Sequence, residues 1–339
     1  MKNKKLKIGV LMGGPSAEHE VSLASGQNVL ENLDKSKYQP VAIKISKDNK
    51  WFLNNKLTAE EKALKGHDLI FNALHGTFGE DGRVQALMEY RGVKYTGSGI
   101  CGSALAMDKL RSREIFKLAG LQVPKTLKLR KGDNYQALLN VFVSKITNFP
   151  VVVKPCSNGS SVGVAIVNGR TELEKAIRST FKVDNKVLIE EFIQGREMTC
   201  GVLEDYNSQP ISALPVTEII PKKGNPFFNY KAKYKTGQSD EITPAQINEE
   251  TTKRVQDIAI KAHQLLGCKA YSRTDMIISN AEQGQLEFGS DAGNYNNIYI
   301  LETNTLPGLT TASLLPKAAS VAGLTFSQLL DRIVESSLR

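Results

Sequence analysis

A multidomain α/β fold is the architecture this sequence predicts, and three observations carry it. The chain has 339 residues, beyond the size at which one hydrophobic core usually keeps growing. Its opening, an apolar run from Lys7 to Met12 that closes on Gly13-Gly14 and leads into helically spaced residues from Val21 to Leu33, reads as strand, glycine turn, helix. Later strands also end in polar, glycine-bearing turns, the places where open α/β sheets hold ligands.

Charge and cysteine usage exclude several classes. The formal net charge is +9, but Lys and Arg are dispersed, with no basic block or aromatic-basic ladder. A solvated surface and an anionic small ligand are expected, and no nucleic-acid partner. Cys101, Cys156, Cys200 and Cys268 form no CxxC pair, which fits free thiols in a reducing cytoplasm. The leading MKNKKLK precedes an apolar run too short for a signal peptide, and no stretch approaches a membrane span. His19, His67, His75 and His263 show no metal-ligand spacing, so zinc is not expected.

The first turn carries Ser16, Glu18, His19 and Glu20 but lacks G-x-G-x-x-G, so a dinucleotide site is not supported. Glu18 alone reads as a first-turn carboxylate facing a helix dipole. Val41 to Ile45 and Leu69 to Leu74 are further strands. His75 then opens a Gly-rich acidic loop, HGTFGEDG, before a helix from Val84 to Tyr90; alone, His75 reads as a hydrogen-bonded loop residue. The loop-like Tyr95 to Gly99 marks a boundary before a helix from about Cys101 to Leu118, which contains Met107-Asp108-Lys109.

A second region opens with the apolar strand Val151 to Pro155, which bears Lys154 near its end. The loop Cys156 to Ser161 and another strand, Val162 to Val167, follow. A P-loop would place its lysine after the glycines at a helix start. Here strands flank the loop, which describes either a hairpin flap over phosphates or an ordinary hairpin. Val187 to Ile193 is strand-like, with Glu197 beyond. Gly224 to Thr243, with Lys231, Lys233 and Tyr234, is linker or lid. Helices are expected from Glu249 to Leu266 and from Phe326 to Leu338.

The densest polar chemistry lies in Tyr299 to Pro316. Ile298 to Leu301 reads as a strand whose continuation points Glu302 and Asn304 to one side, a pair of oxygen donors suited to Mg2+. Pro307-Gly308 turns the chain, and Ser313 stands at a helix N-cap with Pro316 in the first turn, an anion site if it faces a ligand. A second alternating segment, Tyr271 to Ile278, puts Arg273 and Asp275 on one face; pairing with 298–302 would bring Asp275 beside Glu302 and Asn304.

Taken as an ordered set, these pieces resemble the D-alanyl-D-alanine ligases of the ATP-grasp superfamily. The residues that carry the resemblance are GGPSAEHEVSL at 13–23, HGTFGEDG at 75–82, YTGSG at 95–99, MDK at 107–109, VVVKPCSNGSSVG at 151–163, LIEEFIQGRE at 188–197, KAKY at 231–234, SRTD at 272–275 and LETNTLPGLT at 301–310. It implies an α/β (α+β) three-domain ATP-grasp fold. A Rossmann-like open-sheet N-terminal domain would span 1–106, a central lobe 107–190 and a C-terminal domain 191–339. It further implies that ATP and two D-alanines are the substrates, that two Mg2+ ions, replaceable by Mn2+, sit on Asp275, Glu302 and Asn304, and that the protein is a cytoplasmic homodimer serving peptidoglycan synthesis.

By the same resemblance Lys109, Lys154 and Ser161 contact phosphates and Lys233 reaches the γ-phosphate, while Glu190 and the Ile193 backbone hold adenine and Glu197 holds ribose. Glu18 pairs with the first ammonium, Ser160 and Tyr234 join it in fastening the lid, and His75 lies close. Arg273 and the Gly308 N–H stabilise the tetrahedral oxyanion. Ser313 and the Leu314 backbone take the second carboxylate. Two features depart from the family: a longer connection between Asp275 and Glu302, expected as a surface extension, and Glu191 where many members carry lysine. Ligases using D-lactate or D-serine as acceptor, and a non-catalytic nucleotide-binding relative, are the competing readings.

Overall fold

The computed structural model describes residues 4–157, 163–222, 239–280 and 297–339. Three sheets follow one another along the chain. The first contains β1 (Leu6–Gly13), β2 (Tyr38–Ile45), β3 (Trp51–Leu53), β4 (Lys56–Thr58) and β5 (Leu69–Asn72) in the order β4-β3-β2-β1-β5. In it β1 lies parallel to both β2 and β5. Helices α1 (His19–Asn32), α2 (Glu60–Leu64) and α3 (Arg83–Tyr90) accompany it. A parallel strand buried on both faces is a continuous apolar run, which is why β1 stands out in the sequence.

The single helix expected from Cys101 to Leu118 is two, α4 (Ile100–Met107) and α5 (Lys109–Leu118). Asp108 breaks it: its backbone is extended, with ψ of 95°, and its side chain accepts from the N–H groups of Leu110 and Arg111. A capping carboxylate therefore starts α5 with Lys109 as its first residue.

The second sheet holds β6 (Thr126–Arg130), β7 (Val151–Pro155), β8 (Ala165–Val167) and β9 (Lys186–Glu191) in the order β6-β9-β7-β8, all antiparallel. Its core is closed by α6 (Gln136–Val141) and α7 (Arg170–Thr180), which contribute Leu139, Leu173 and Ile177. The hairpin expected around residues 156–161 is present as β7 and β8, Val151 pairing with Val167. Its tip, 158–162, lies outside the described residues.

The third sheet comprises β10 (Gly195–Tyr206), β11 (Gln209–Ala213), β12 (Thr217–Pro221), β13 (Ser239–Ile242), β14 (Tyr271–Ser279) and β15 (Ile298–Asn304). Its order is β13-β12-β10-β14-β15, with β11 added to β10. Helix α8 (Glu249–Leu265) packs Val255, Ile258 and Ala262 against Met198, Cys200, Met276 and Ile300. Of the expected linker or lid, 239–243 is among the described residues, with β13 in it. The chain then returns through α9 (Leu314–Val321) and α10 (Phe326–Leu338) to the first sheet. Leu329, Leu330, Ile333 and Val334 share one cluster with Ile8, Val10 and Phe71, joined by Leu203 and Tyr271 of the third sheet.

One irregularity positions the site. Across β14 and β15, Arg273 lies opposite Asn304, Thr274 opposite Thr303 and Asp275 opposite Glu302, but the next pair is Met276 with Ile300. Leu301 is the extra residue of a β-bulge. Ile298 and Ile300 are buried before it and Thr303 after it, so the bulge reverses the alternation. Without it Glu302 and Asn304 would share the buried face of Ile300; with it they turn to the cleft, beside Asp275.

Candidate active site

Two chambers open between these elements. The first, about 840 Å³ including its mouth, is lined by Glu18, His75, Glu80, Arg273, Asn304, Gly308, Ser313 and Leu314 among others. The second, about 910 Å³, lies between the second and third sheets. Its apolar walls are Val152, Val164, Ile166, Ile277 and Leu301, and its polar lining includes Lys154, Glu190, Ile193, Glu197 and Asp275. Lys109 and Glu302 line both chambers.

At that junction Lys109 Nζ stands 3.0 Å from Glu302 Oε2. Burial works against the Lys109 ammonium, but Glu302 outweighs it and holds the pKa above its ordinary value. Asp275 receives Arg273 on both oxygens, Nε to Oδ1 at 2.9 Å and Nη2 to Oδ2 at 3.0 Å. Thr199 Oγ1 donates to it at 2.6 Å and Asn304 Nδ2 at 3.4 Å. Among the described residues no three His, Cys, Asp or Glu side chains converge. Two carboxylates and an amide lie side by side instead, a set of oxygens that would fit a hard cation completing its shell with water and phosphate oxygen.

Deeper in the second chamber, Lys154 Nζ lies 3.0 Å from Glu190 Oε2, while Arg113 Nη1 holds Glu190 Oε1. All three side chains are buried. Burial, and then the neighbouring Arg113, push the Lys154 ammonium down to about 8. Burial opposes ionisation of Glu190, but Arg113 and Lys154 prevail and keep its pKa below the usual value. Both Glu190 oxygens are thus engaged by cations, and the carboxylate expected at the adenine faces Lys154 here.

In the first chamber Glu18 is buried at the N-terminal end of α1, on the loop that precedes it. The opposite loop passes so close that a Cβ on Gly76, whose φ is +72°, would come within 2.9 Å of Glu18 Oε2. Any side chain at that position would be strained. His75 is buried, with Nε2 2.8 Å from Ser25 Oγ and Nδ1 3.1 Å from the Leu306 carbonyl. Burial pushes it down to about 4, so the ring is neutral at physiological pH. Glu80 Oε1 accepts from the Gly76 N–H at 2.8 Å; burial, then the nearby Glu18, raise its pKa to about 8. Ser313 does occupy the N-cap of α9, but its hydroxyl makes no cap bond. It turns back to Thr310, accepting from the backbone N at 3.0 Å and meeting Oγ1 at 2.8 Å.

The sequence-derived residues Glu18, His75, Lys109, Lys154, Glu190, Ile193, Glu197, Arg273, Asp275, Glu302, Asn304, Gly308, Ser313 and Leu314 therefore line one connected cleft. Ser160, Ser161, Lys233 and Tyr234 lie outside the described residues, as does 281–296 of the long connection. The ends of that connection are held in register, Ile278 opposite Ile298 and Ser279 N bonded to the Asn297 carbonyl at 2.8 Å. Glu191, the other departure, accepts from the Lys125 N–H at 2.8 Å beside the second chamber. Sequence reasoning missed Arg113, Glu80 and Ser25. Glu80 sat in a loop already singled out; Arg113 and Ser25 look like ordinary helix residues.

Two antiparallel sheets facing each other over a cleft, with lysines and carboxylates at its centre, define an ATP-grasp fold, which solved ligases share. Residues 115–335 match the family described as D-ala D-ala ligase C-terminus, and 7–67 with 54–98 that described as D-ala D-ala ligase N-terminus. The chain belongs to the D-alanine–D-alanine ligase family. A D-alanine–D-alanine ligase of Syntrophobacter fumaroxidans is 42% identical over 338 residues, covering 100% of this chain and 99% of its own. The D-Ala:D-Ser ligase of Enterococcus faecalis has a TM-score of 0.82 at 32% identity, over 98% of this chain and 100% of its own. The D-alanine–D-alanine ligase of Bacillus anthracis complexed with ATP has a TM-score of 0.74 at 33% identity, over 98% and 97%.

Proposed function

We propose that the protein joins two D-alanines into D-alanyl-D-alanine for peptidoglycan, converting ATP to ADP and phosphate. The observation that carries the reading is the meeting of the two chambers at Lys109 and Glu302: a carboxylate bound in the first reaches a γ-phosphate bound in the second. A carboxylate is a poor acylating agent, so its oxygen takes the γ-phosphoryl group to give an acyl phosphate. That step needs mainly positioning and neutralised charge, supplied here by Lys109 and Lys154. Bound at Asp275, Glu302 and Asn304, magnesium would add charge neutralisation on the phosphates.

Glu18 pairs with the ammonium of the first D-alanine, beside His75. The second D-alanine places its carboxylate at Ser313 and the Leu314 N–H, where the start of α9 favours an anion. Its amine attacks the acyl carbon, and Arg273 and the Gly308 N–H receive the oxyanion; such a donor is worth about 3 kcal/mol elsewhere. Phosphate then leaves. Glu197 and the Ile193 backbone serve ribose and adenine, Glu190 acts on the nucleotide through Lys154, and Ser160, Ser161, Lys233 and Tyr234 belong to the loops that complete the site. The units 1–106, 107–190 and 191–339 act as three domains. A cytoplasmic homodimer belongs to the same reading, since ATP and reduced thiols are cytoplasmic; sedimentation tests the dimer.

The D-Ala:D-Ser ligase among the similar structures keeps an acceptor other than D-alanine in view. Phosphate release from ATP, measured with D-alanine, D-serine and D-lactate singly and in pairs, separates these. Release and dipeptide with D-alanine alone are expected; their absence would remove the proposal.

A further inference from the structure

Arg113 lies on α5, 3% exposed, and lines neither chamber. Its guanidinium reaches two sheets. Nη1 holds Glu190 on β9 and also meets Thr126 Oγ1 on β6 at 3.1 Å. Nη2 donates to the Leu301 carbonyl on β15 at 3.0 Å. Leu301 is the bulged residue, with no residue opposite it on β14. A bulge leaves one residue unpaired, and a buried carbonyl without a donor is costly; Arg113 supplies that donor.

We propose that Arg113 is a positioning residue for phosphoryl transfer: one planar fork fixes the bulge at Leu301, and so the direction of Glu302, relative to the Glu190–Lys154 pair on the other sheet. The proposal rests on the ligase reading for the word phosphoryl, but the staple itself is a property of the free protein. Its geometry suits arginine alone. The fork carries two hydrogen-bonding arms a fixed distance apart, whereas a lysine ammonium is a single point that serves Glu190 or Leu301 but not both. The second consequence is electrostatic. The charged groups facing Lys154 are Arg113 and Lys109 from α5, Glu190 from β9 and Glu302 from β15. Arg113 both repels the Lys154 ammonium and shares its carboxylate partner, so Lys154 stays available to an incoming phosphate instead of being sealed in a pair with Glu190.

Two variants separate the arms. Arg113→Met removes the charge and every contact; Arg113→Lys keeps the charge and the ion pair with the Glu190 carboxylate, which draws the ammonium more strongly than a neutral carbonyl, and loses the contact with Leu301. Amide hydrogen exchange is followed in the nucleotide-free protein, ADP binding is titrated calorimetrically from pH 7 to 10, and phosphate release with D-alanine is assayed. In the wild type ADP affinity falls as pH rises through about 8, where Lys154 loses its proton. In Arg113→Met the amides of 300–304 exchange at least tenfold faster, ADP binds at least tenfold more weakly at pH 7, and the pH midpoint moves up by a unit or more. In Arg113→Lys the midpoint stays at the wild-type value while exchange at 300–304 and the loss of turnover follow the Met variant.

Wild-type exchange at 300–304 in both variants overturns the proposal, whatever happens to turnover. Lost turnover in Arg113→Met with exchange and midpoint unchanged also overturns it, since a merely structural role would do that. Should Arg113→Met not fold, exchange and turnover in Arg113→Lys decide alone. A wild-type protein that releases no phosphate with D-alanine removes the ligase reading, and the exchange measurement still decides the staple.

Discussion

Gly308 approaches Ser313 so closely that a methyl group has no room. A Cβ built on Gly308 would stand 2.7 Å from Ser313 Oγ but 3.5 Å from Ser313 Cβ, so the hydroxyl alone is in the way. In Gly308→Ala the hydroxyl must rotate out, giving up its contacts with the Thr310 N–H and Oγ1. Two hydrogen bonds at about 1 kcal/mol each hold the hydroxyl in place, so a substrate that needs it there must restore that position against a penalty of about 2 kcal/mol, or about thirtyfold in affinity. Because Ser313 is assigned to the second D-alanine, the loss belongs in the KM for that substrate, with the KM for ATP little changed. Steady-state kinetics with D-alanine varied at saturating ATP measures it. A rescue is expected too: Ser313→Ala removes the obstructing oxygen, so the two contacting substitutions are not additive, and adding Gly308→Ala to Ser313→Ala costs less than about 0.5 kcal/mol. A full thirtyfold penalty in the Ser313→Ala background would refute the steric account.

Other outcomes follow from the same geometry. Glu302→Ala leaves a folded protein without turnover; substantial phosphate release would remove Glu302 from the metal site. His75 sits near 4 when folded against an ordinary 6.5, so its contribution is complete above pH 6.5 and lost as pH falls through 4. The difference is about 3 kcal/mol, and His75→Gln should flatten that part of the stability curve in urea titrations at stepped pH; an unchanged acid limb would contradict it. Burial pushes the thiols of Cys200 and Cys268 up to about 12, and Cys156 is also raised, while Cys101 is exposed. Brief alkylation at pH 8 should therefore label Cys101 and spare activity, as peptide mass spectrometry would show; rapid labelling of Cys156 would be inconsistent with its burial.

What the sequence makes legible here is local. α8 and α10 carry clear apolar periods and β1 a continuous apolar run, and Asp275, Glu302 and Asn304 lie at strand positions where parity can be counted. Parity nonetheless misleads at Leu301. The face shared by Glu302 and Asn304 is readable, but that this face is the cleft rather than the core depends on one inserted residue, and nothing in Ile-Leu-Glu announces a bulge. Asp108 is similar: a capping carboxylate inside a helical pattern is visible only once the helix has broken there. Arg113 is hidden for a different reason. Its partners, Glu190 and the Leu301 carbonyl, are 77 and 188 residues away, and a polar residue on a helix reads as solvent-facing until the sheet above it is placed. The strands β3 and β4, three residues each, are too short for any period.

The closing helix α10 has a bearing on how the chain comes into being. Ile333 and Val334 sit in the same cluster as Ile8 and Val10, so the apolar wall of β1 stays unfinished until α10 has been made. During synthesis the first sheet waits with an oily flank uncovered while more than three hundred residues emerge, a state open to nonspecific association. A stop codon before Phe326 would remove little of the catalytic cleft yet leave that flank bare for good, yielding aggregates instead of a slower enzyme.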